Sequence, residues 1–139
     1  MLSKKGKYAI RSLILLAKNS DKPPLSASKI AELGKFPKKY LEGILLDLRN
    51  AGYIFSKKGT DGGYGLRKPA SEITLDGVVR LIDGPVARVS CVSKYHYHSC
   101  EECIDEATCS IKKLYFKVWE EELKLLSGTT IATMADGEQ

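Results

Sequence analysis

The 139-residue chain has no apolar run approaching the roughly eighteen residues that a membrane span needs. Lys4, Lys5 and Lys7 precede an apolar stretch, but Arg11 interrupts it and no small-residue cleavage site follows. A soluble, cytoplasmic protein is therefore expected. No Ser/His/Asp arrangement stands out. The Gly62-Gly63 pair lies between short strand-like segments, not in a phosphate-binding loop. There is little room for a large enzyme core, so neither catalysis nor a small-molecule substrate is expected. Internal repeats are lacking, and cysteine is missing from the first ninety residues.

What is present is unevenly spread. The formal charge is +5, yet residues 1–70 hold 15 Lys and Arg against 5 Asp and Glu, while residues 71–139 hold 7 against 12. A strongly basic half attracts polyanions, and a lysine-rich solvated surface would look the same in composition. The positions of the lysines have to separate the two.

From Ser3 to Asn19, Tyr8, Ile10, Leu13, Ile14, Leu16 and Ala17 recur at helical spacing, with Lys4, Lys5, Lys7, Arg11 and Lys18 on the polar face. After an Asn-Ser-Asp-Lys-Pro-Pro loop, Ser26 is placed to cap a short helix through Leu33, with Gly34 as its stop. Pro37 stands where a first-turn proline belongs. Tyr40, Leu41, Ile44, Leu45 and Leu48 then mark a second helix up to Ala51-Gly52. Two helices joined around a glycine, the second basic at its start, form a helix-turn-helix pattern. Tyr53–Ser56 and Gly63–Leu66 read as strands, with Lys57, Lys58 and an Asp61-Gly62 turn signal at the tip, and such a basic hairpin is a wing.

In that arrangement Lys38, Lys39 and Tyr40 open the recognition helix toward groove and phosphates. Glu42 is suited to accept from a cytosine amino group, and Gly43 offers the bases no side chain. Lys57 and Lys58, with Gly62, Gly63 and Tyr64 of the wing, are expected along the backbone or in a minor groove of double-stranded DNA. Tyr40 reads equally well as a core residue.

Thr74 is placed to cap a helix from Leu75 to Ile82, ended by Asp83-Gly84-Pro85. Residues 88–110 lose apolar periodicity and hold all four cysteines: Cys91, Cys100, Cys103 and Cys109. A reducing cytosol disfavours a structural disulfide, leaving zinc, an iron–sulfur cluster or metal-free reactive thiols. Only Cys100 and Cys103 have a zinc-knuckle spacing. His96 and His98 are extra donors of the right type, and Asp105 and Glu106 read as solvating charges. Ile111, Leu114, Tyr115, Val118, Trp119, Leu123 and Leu126 then mark a long helix, and residues 135–139 read as a disordered tail.

Taken together, Gly6-Lys7-Tyr8-Ala9-Ile10-Arg11, Lys39-Tyr40-Leu41-Glu42, Gly62-Gly63-Tyr64-Gly65-Leu66 and Ile73-Thr74-Leu75 resemble the winged-helix transcription regulators that include IscR, NsrR and CymR. The likeness spans nearly the whole chain. It implies a homodimer crossing long C-terminal helices, here through Leu114, Val118, Trp119, Leu123 and Leu126. It also implies that Cys91, Cys103 and Cys109 hold an iron–sulfur cluster, 2Fe-2S or 4Fe-4S, with Cys100 as an additional ligand candidate. Cluster-free members also exist. Lys112 stands where the assembly regulator has a histidine, Lys58 where an arginine is common, and Gly43 where a glutamine is frequent.

The expected architecture is mainly α with a small β-hairpin: a winged helix-turn-helix over residues 1–84, a cysteine loop over 85–110, and a dimerisation helix with a short C-terminal segment over 111–134. The expected function is a dimeric DNA-binding regulator, a repressor in the simplest case, that senses redox, nitric oxide or iron–sulfur status. The rival from another class is a small iron–sulfur electron carrier or accessory subunit, which would not bind duplex DNA.

Overall fold

The computed structural model describes residues 2–94 and 96–138. Six helices and one hairpin follow in chain order: α1 (Lys4–Lys18), α2 (Ala27–Gly34), α3 (Lys38–Asn50), β1 (Ile54–Lys57), β2 (Gly63–Leu66), α4 (Leu75–Asp83), α5 (Ser110–Ser127) and α6 (Ile131–Gly137). The strands pair antiparallel, Ile54 opposite Leu66 and Lys57 opposite Gly63.

α1 is the central helix. Ser3 caps it by accepting from the Gly6 amide at 2.9 Å, and Ala9, Leu13 and Leu16 bury its inner face. That face meets Ile30 of α2, Leu41, Ile44, Leu45 and Leu48 of α3, Ile54 of β1 and Val78 of α4, forming one core. Each such side chain contributes about 1.5–3 kcal/mol by leaving water. Gly6 lets the end of α4 approach: a Cβ there would stand 2.9 Å from the Asp83 carboxylate, which accepts from the Ser3 amide at 3.0 Å.

The turn between α2 and α3 is tied to α1. Tyr8 stacks on Phe36 with ring centres 4.8 Å apart, and Arg11 donates to the Gly34 carbonyl at 3.2 Å. Arg11 is thus a structural donor as well as part of the basic face. Gly34 remains helical and packs against the Phe36 ring, which a Cβ would overlap; the stop is Lys35, in the left-handed region at φ 55°. Pro37 is the N-cap of α3, one position before the expected first turn.

The hairpin differs from the Asp-Gly expectation. Its turn is closed by the Gly62 amide donating to Gly59 at 3.0 Å, so Asp61 and Gly62 are its last two residues and not a two-residue loop. Leu25 adds a short third edge by exchanging backbone hydrogen bonds with Tyr64, at 2.7 and 3.0 Å. A Cβ at Gly63 would stand 2.5 Å from the Leu25 carbonyl, which fixes glycine there.

Two further expectations are corrected. Thr74 makes no side-chain cap; the Leu75 amide instead donates to the Thr129 carbonyl at 3.0 Å. Residues 135–137 of the expected tail are the end of α6. Thr130 and Thr133 form a capping box, Ile131 and Ala135 are buried, and α6 packs along α1, so the chain end completes the N-terminal domain. Gln139 lies outside the described residues.

Candidate nucleic-acid interface and thiol cavity

α3 divides cleanly into two faces. Leu41, Ile44, Leu45 and Leu48 are fully buried, whereas Lys38, Lys39, Tyr40, Glu42 and Gly43 are exposed. Tyr40 is 54% exposed, with the Lys39 ammonium 4.9 Å from its ring centre, so it is a surface residue and not core. A Cβ at Gly43 would meet nothing within 4 Å, so no packing inside the chain requires glycine there. Lys57 and Lys58 stand exposed at the wing tip. Gly62, Gly63 and Tyr64 are half-buried, and Tyr64 packs against the core, so these three shape the wing from its inner side. Arg49, on α3, reaches the Ser56 hydroxyl of β1 at 3.4 Å and ties helix to wing.

The cysteine segment leaves α4 and returns to α5 through two single 3-10 turns, Ser90–Val92 and Glu106–Thr108. Cys91 is buried in the first, and Cys109 is the N-cap of α5. All four cysteines line one cavity of about 470 Å³, with Val89, Ile111 and Lys112 also on its wall. Desolvation, then the Cys91 thiol and the Glu102 carboxylate, push the Cys100 thiol above its ordinary range. Desolvation followed by Cys109 and Glu106 does the same at Cys103. Crowded thiols resist ionising together, and a bound cation removes that resistance.

Two other donors in the segment, Glu106 and Asp105, are already engaged. The Tyr97 hydroxyl donates to Glu106 at 2.6 Å and Lys112 pairs with the same carboxylate at 3.0 Å, which hold Glu106 below the usual carboxylate range. Asp105 accepts from the Ala107 amide and the Thr108 hydroxyl, both at 3.1 Å. His96 lines a different cavity, between α4 and α5. Among the described residues, no three Cys, His, Asp or Glu side chains converge on one point as a single-ion cage would require.

α5 buries no residue fully and carries two apolar faces. Trp119 and Leu123 line the cavity against α4, and Leu126 packs on the core. Leu114 is 57% exposed on the other side, where Val118 and Leu125 line an open groove. Of the five residues expected at a dimer interface, Leu114 is exposed, Val118, Trp119 and Leu123 are half-buried and line surface cavities, and Leu126 packs on the core. Ile111, Phe116 and Leu125 are also exposed apolar residues of α5, of which the sequence repeat included only Ile111.

A helix-turn-helix with a lysine-tipped wing, closed by α6 and extended by a long helix, defines a DNA-binding transcription regulator and not an enzyme. The chain belongs to the Rrf2 family, described as iron-dependent transcriptional regulators, which matches residues 2–137. An rrf2-like relative from Rhodobacter capsulatus, an HTH-type transcriptional regulator by name, is 40% identical over 137 residues, covering 96% of this chain and 91% of its own. The regulator CymR of Bacillus subtilis is 30% identical over 141 residues, covering 99% and 94%. The solved structure of that CymR, the global cysteine regulator, superposes with a TM-score of 0.81 at 29% identity, over 98% of this chain and 96% of that one. IscR of Serratia proteamaculans is 29% identical over 137 residues, covering 99% and 80%. No helix among the described residues is long and apolar enough to cross a membrane.

Proposed function

We propose that this regulator acts as a homodimer on double-stranded DNA and senses redox, nitric oxide or iron–sulfur status through an iron–sulfur cluster held by Cys91, Cys103 and Cys109. The observation that carries the reading is the position of the thiol cavity. Cys91 follows α4 of the DNA-reading domain, and Cys109 heads α5, the arm with an unpartnered apolar face.

The residues fit such a group. Soft thiolates are the ligands that iron–sulfur centres take, and four of them surround one cavity. A single tetrahedral zinc ion needs donors gathered about 2.3 Å from one point, and the side chains are spread more widely than that. A cluster held by these thiolates would supply a link sensitive to oxidants and nitric oxide. Held together, Cys91 and Cys109 fix the path from α4 to α5; released, the segment between them is free to change the angle of the dimer arm. In a dimer that angle sets the spacing of the two α3 helices, and DNA affinity then differs between the two states.

The test is the visible spectrum and iron content of anaerobically purified protein. A brown protein that bleaches with nitric oxide or oxygen, and loses its iron when Cys91, Cys103 and Cys109 are all changed to Ala, is expected. A colourless protein with one zinc per chain would overturn the cluster reading.

A further inference from the structure

Resting on the reading that the cavity holds an iron–sulfur cluster, we propose that Cys100 is its fourth protein ligand, completing an all-cysteine set with Cys91, Cys103 and Cys109. Three ligands leave one iron without a protein donor, and within this chain the cavity wall is where a fourth would be supplied. The position three residues beyond Cys109 does not supply it. Lys112 presents an ammonium with no lone pair to give, and it is committed to Glu106 at 3.0 Å.

Two of the remaining candidates are committed to other contacts. Glu106 is held by both Tyr97 and Lys112, and Asp105 caps the turn that leads into Cys109. His96 faces another cavity, and His98 is not on this cavity's wall. Glu102 is on the wall, but its hard oxygen suits iron–sulfur centres less than a thiolate does.

Cys100 has what these lack. It is exposed, and it lines the same cavity as Cys91, Cys103 and Cys109, bringing to that wall the same soft sulfur donor. Cys100 and Cys103, three positions apart, thus face one wall together with Cys91 and Cys109. On ligation each cysteine releases its thiol proton to solvent and shares a sulfur lone pair with iron, and sulfur keeps its oxidation state. The Lys112 ammonium at the rim offsets part of the negative charge that four thiolates bring.

The experiment loads the full-length chain anaerobically with ferrous iron and sulfide, comparing wild type with Cys100→Ser and Cys91→Ser. Iron and sulfide per chain, loss of iron to a chelator, and alkylation of each cysteine are measured, the last by mass spectrometry. In loaded wild type, Cys100 is protected from iodoacetamide together with the other three. C100S loses iron to the chelator at least about tenfold faster than wild type, with a shifted visible spectrum. Because Cys100 is exposed, C100S keeps the thermal midpoint of the cluster-free wild type, and a collapse of that midpoint would mean a structural role and overturn the assignment.

Equal iron, spectrum and chelator resistance in C100S and wild type would overturn it, as would rapid alkylation of Cys100 in the loaded protein or a Cys91–Cys100 disulfide there. If wild type itself takes up no iron and sulfide, the cluster reading fails and the ligand assignment falls with it. That outcome differs from a loaded wild type with an indifferent Cys100.

Discussion

The DNA-reading domain and the cysteine arm bury their residues in opposite ways. α1, α3 and α4 interlock around fully buried Leu13, Leu41, Ile44, Leu48 and Val78, and α6 returns from the chain end to close the same core. The arm has 18 helical residues with none buried, preceded by a loop whose regular structure is two single turns. A region that buries this little within its own chain is where the proposed second subunit and the proposed inorganic group would add the missing contacts. Marginal local stability is what a switching element requires. In the proposed function the rigid half recognises DNA, and the conditional half reports the state of the cavity.

The contrast is broken most severely by truncating the core. Leu48→Ala is expected to lower unfolding stability by about 2–5 kcal/mol in denaturant titration, whereas Leu114→Ala should change the stability of the isolated chain by less than about 0.5 kcal/mol. Equal effects would mean that the arm is as well packed as the domain.

Ile131→Ala comes next. If α6 completes the core, this change near the chain end costs about 2–4 kcal/mol and exposes amides of α1 to hydrogen exchange. A loss under about 0.5 kcal/mol would return α6 to the status of a tail.

Sharpening the recognition half calls for charge. Replacing Lys57 and Lys58 with Ala should weaken binding to every duplex by a similar factor. The same variant should flatten the dependence of log affinity on log salt by about 1 for each phosphate that is no longer neutralised. Fluorescence anisotropy across a salt series reads both. An unchanged slope would place the wing tip away from DNA.

The smallest expected effect is at Gly43. With open space around it in the middle of a helix, Gly43→Ala should stabilise the free protein by about 0.5–1 kcal/mol, seen as a higher thermal midpoint. If DNA approaches this backbone closely, affinity falls in the same variant.

Much of the rigid half was legible because local rules and burial agree there. The helical period of Leu41, Ile44, Leu45 and Leu48 leaves one way to face the core, and the glycine-rich hairpin follows directly. The motif from Gly6 to Arg11 was readable as a resemblance, but its physics was not. Only the fold shows that Gly6 admits Asp83, Tyr8 stacks on Phe36 and Arg11 holds Gly34. α6 was missed because seven residues with two buried positions give too short a pattern; the Thr130 and Thr133 pair was its available signal.

In the candidate site, the clustering of Cys91, Cys100, Cys103 and Cys109 announced a shared environment. The capture of Glu106 by Tyr97 and Lys112 depends on chain folding and left no local trace. α5 was half legible for a related reason. With apolar residues on two sides, periodicity alone cannot tell that Trp119 and Leu123 line the cavity against α4 while Leu114 and Leu125 stand exposed.

The central claim is that the state of the thiol cavity is felt at the recognition helices. The most direct test is the affinity of iron–sulfur-loaded and cluster-free protein for one duplex, selected from a random pool, measured anaerobically at a single salt concentration. Coupling between the two predicts affinities that differ by at least about fivefold, and no difference in the variant with Cys91, Cys103 and Cys109 changed to Ala. Identical affinities for the loaded and cluster-free wild type would contradict the account.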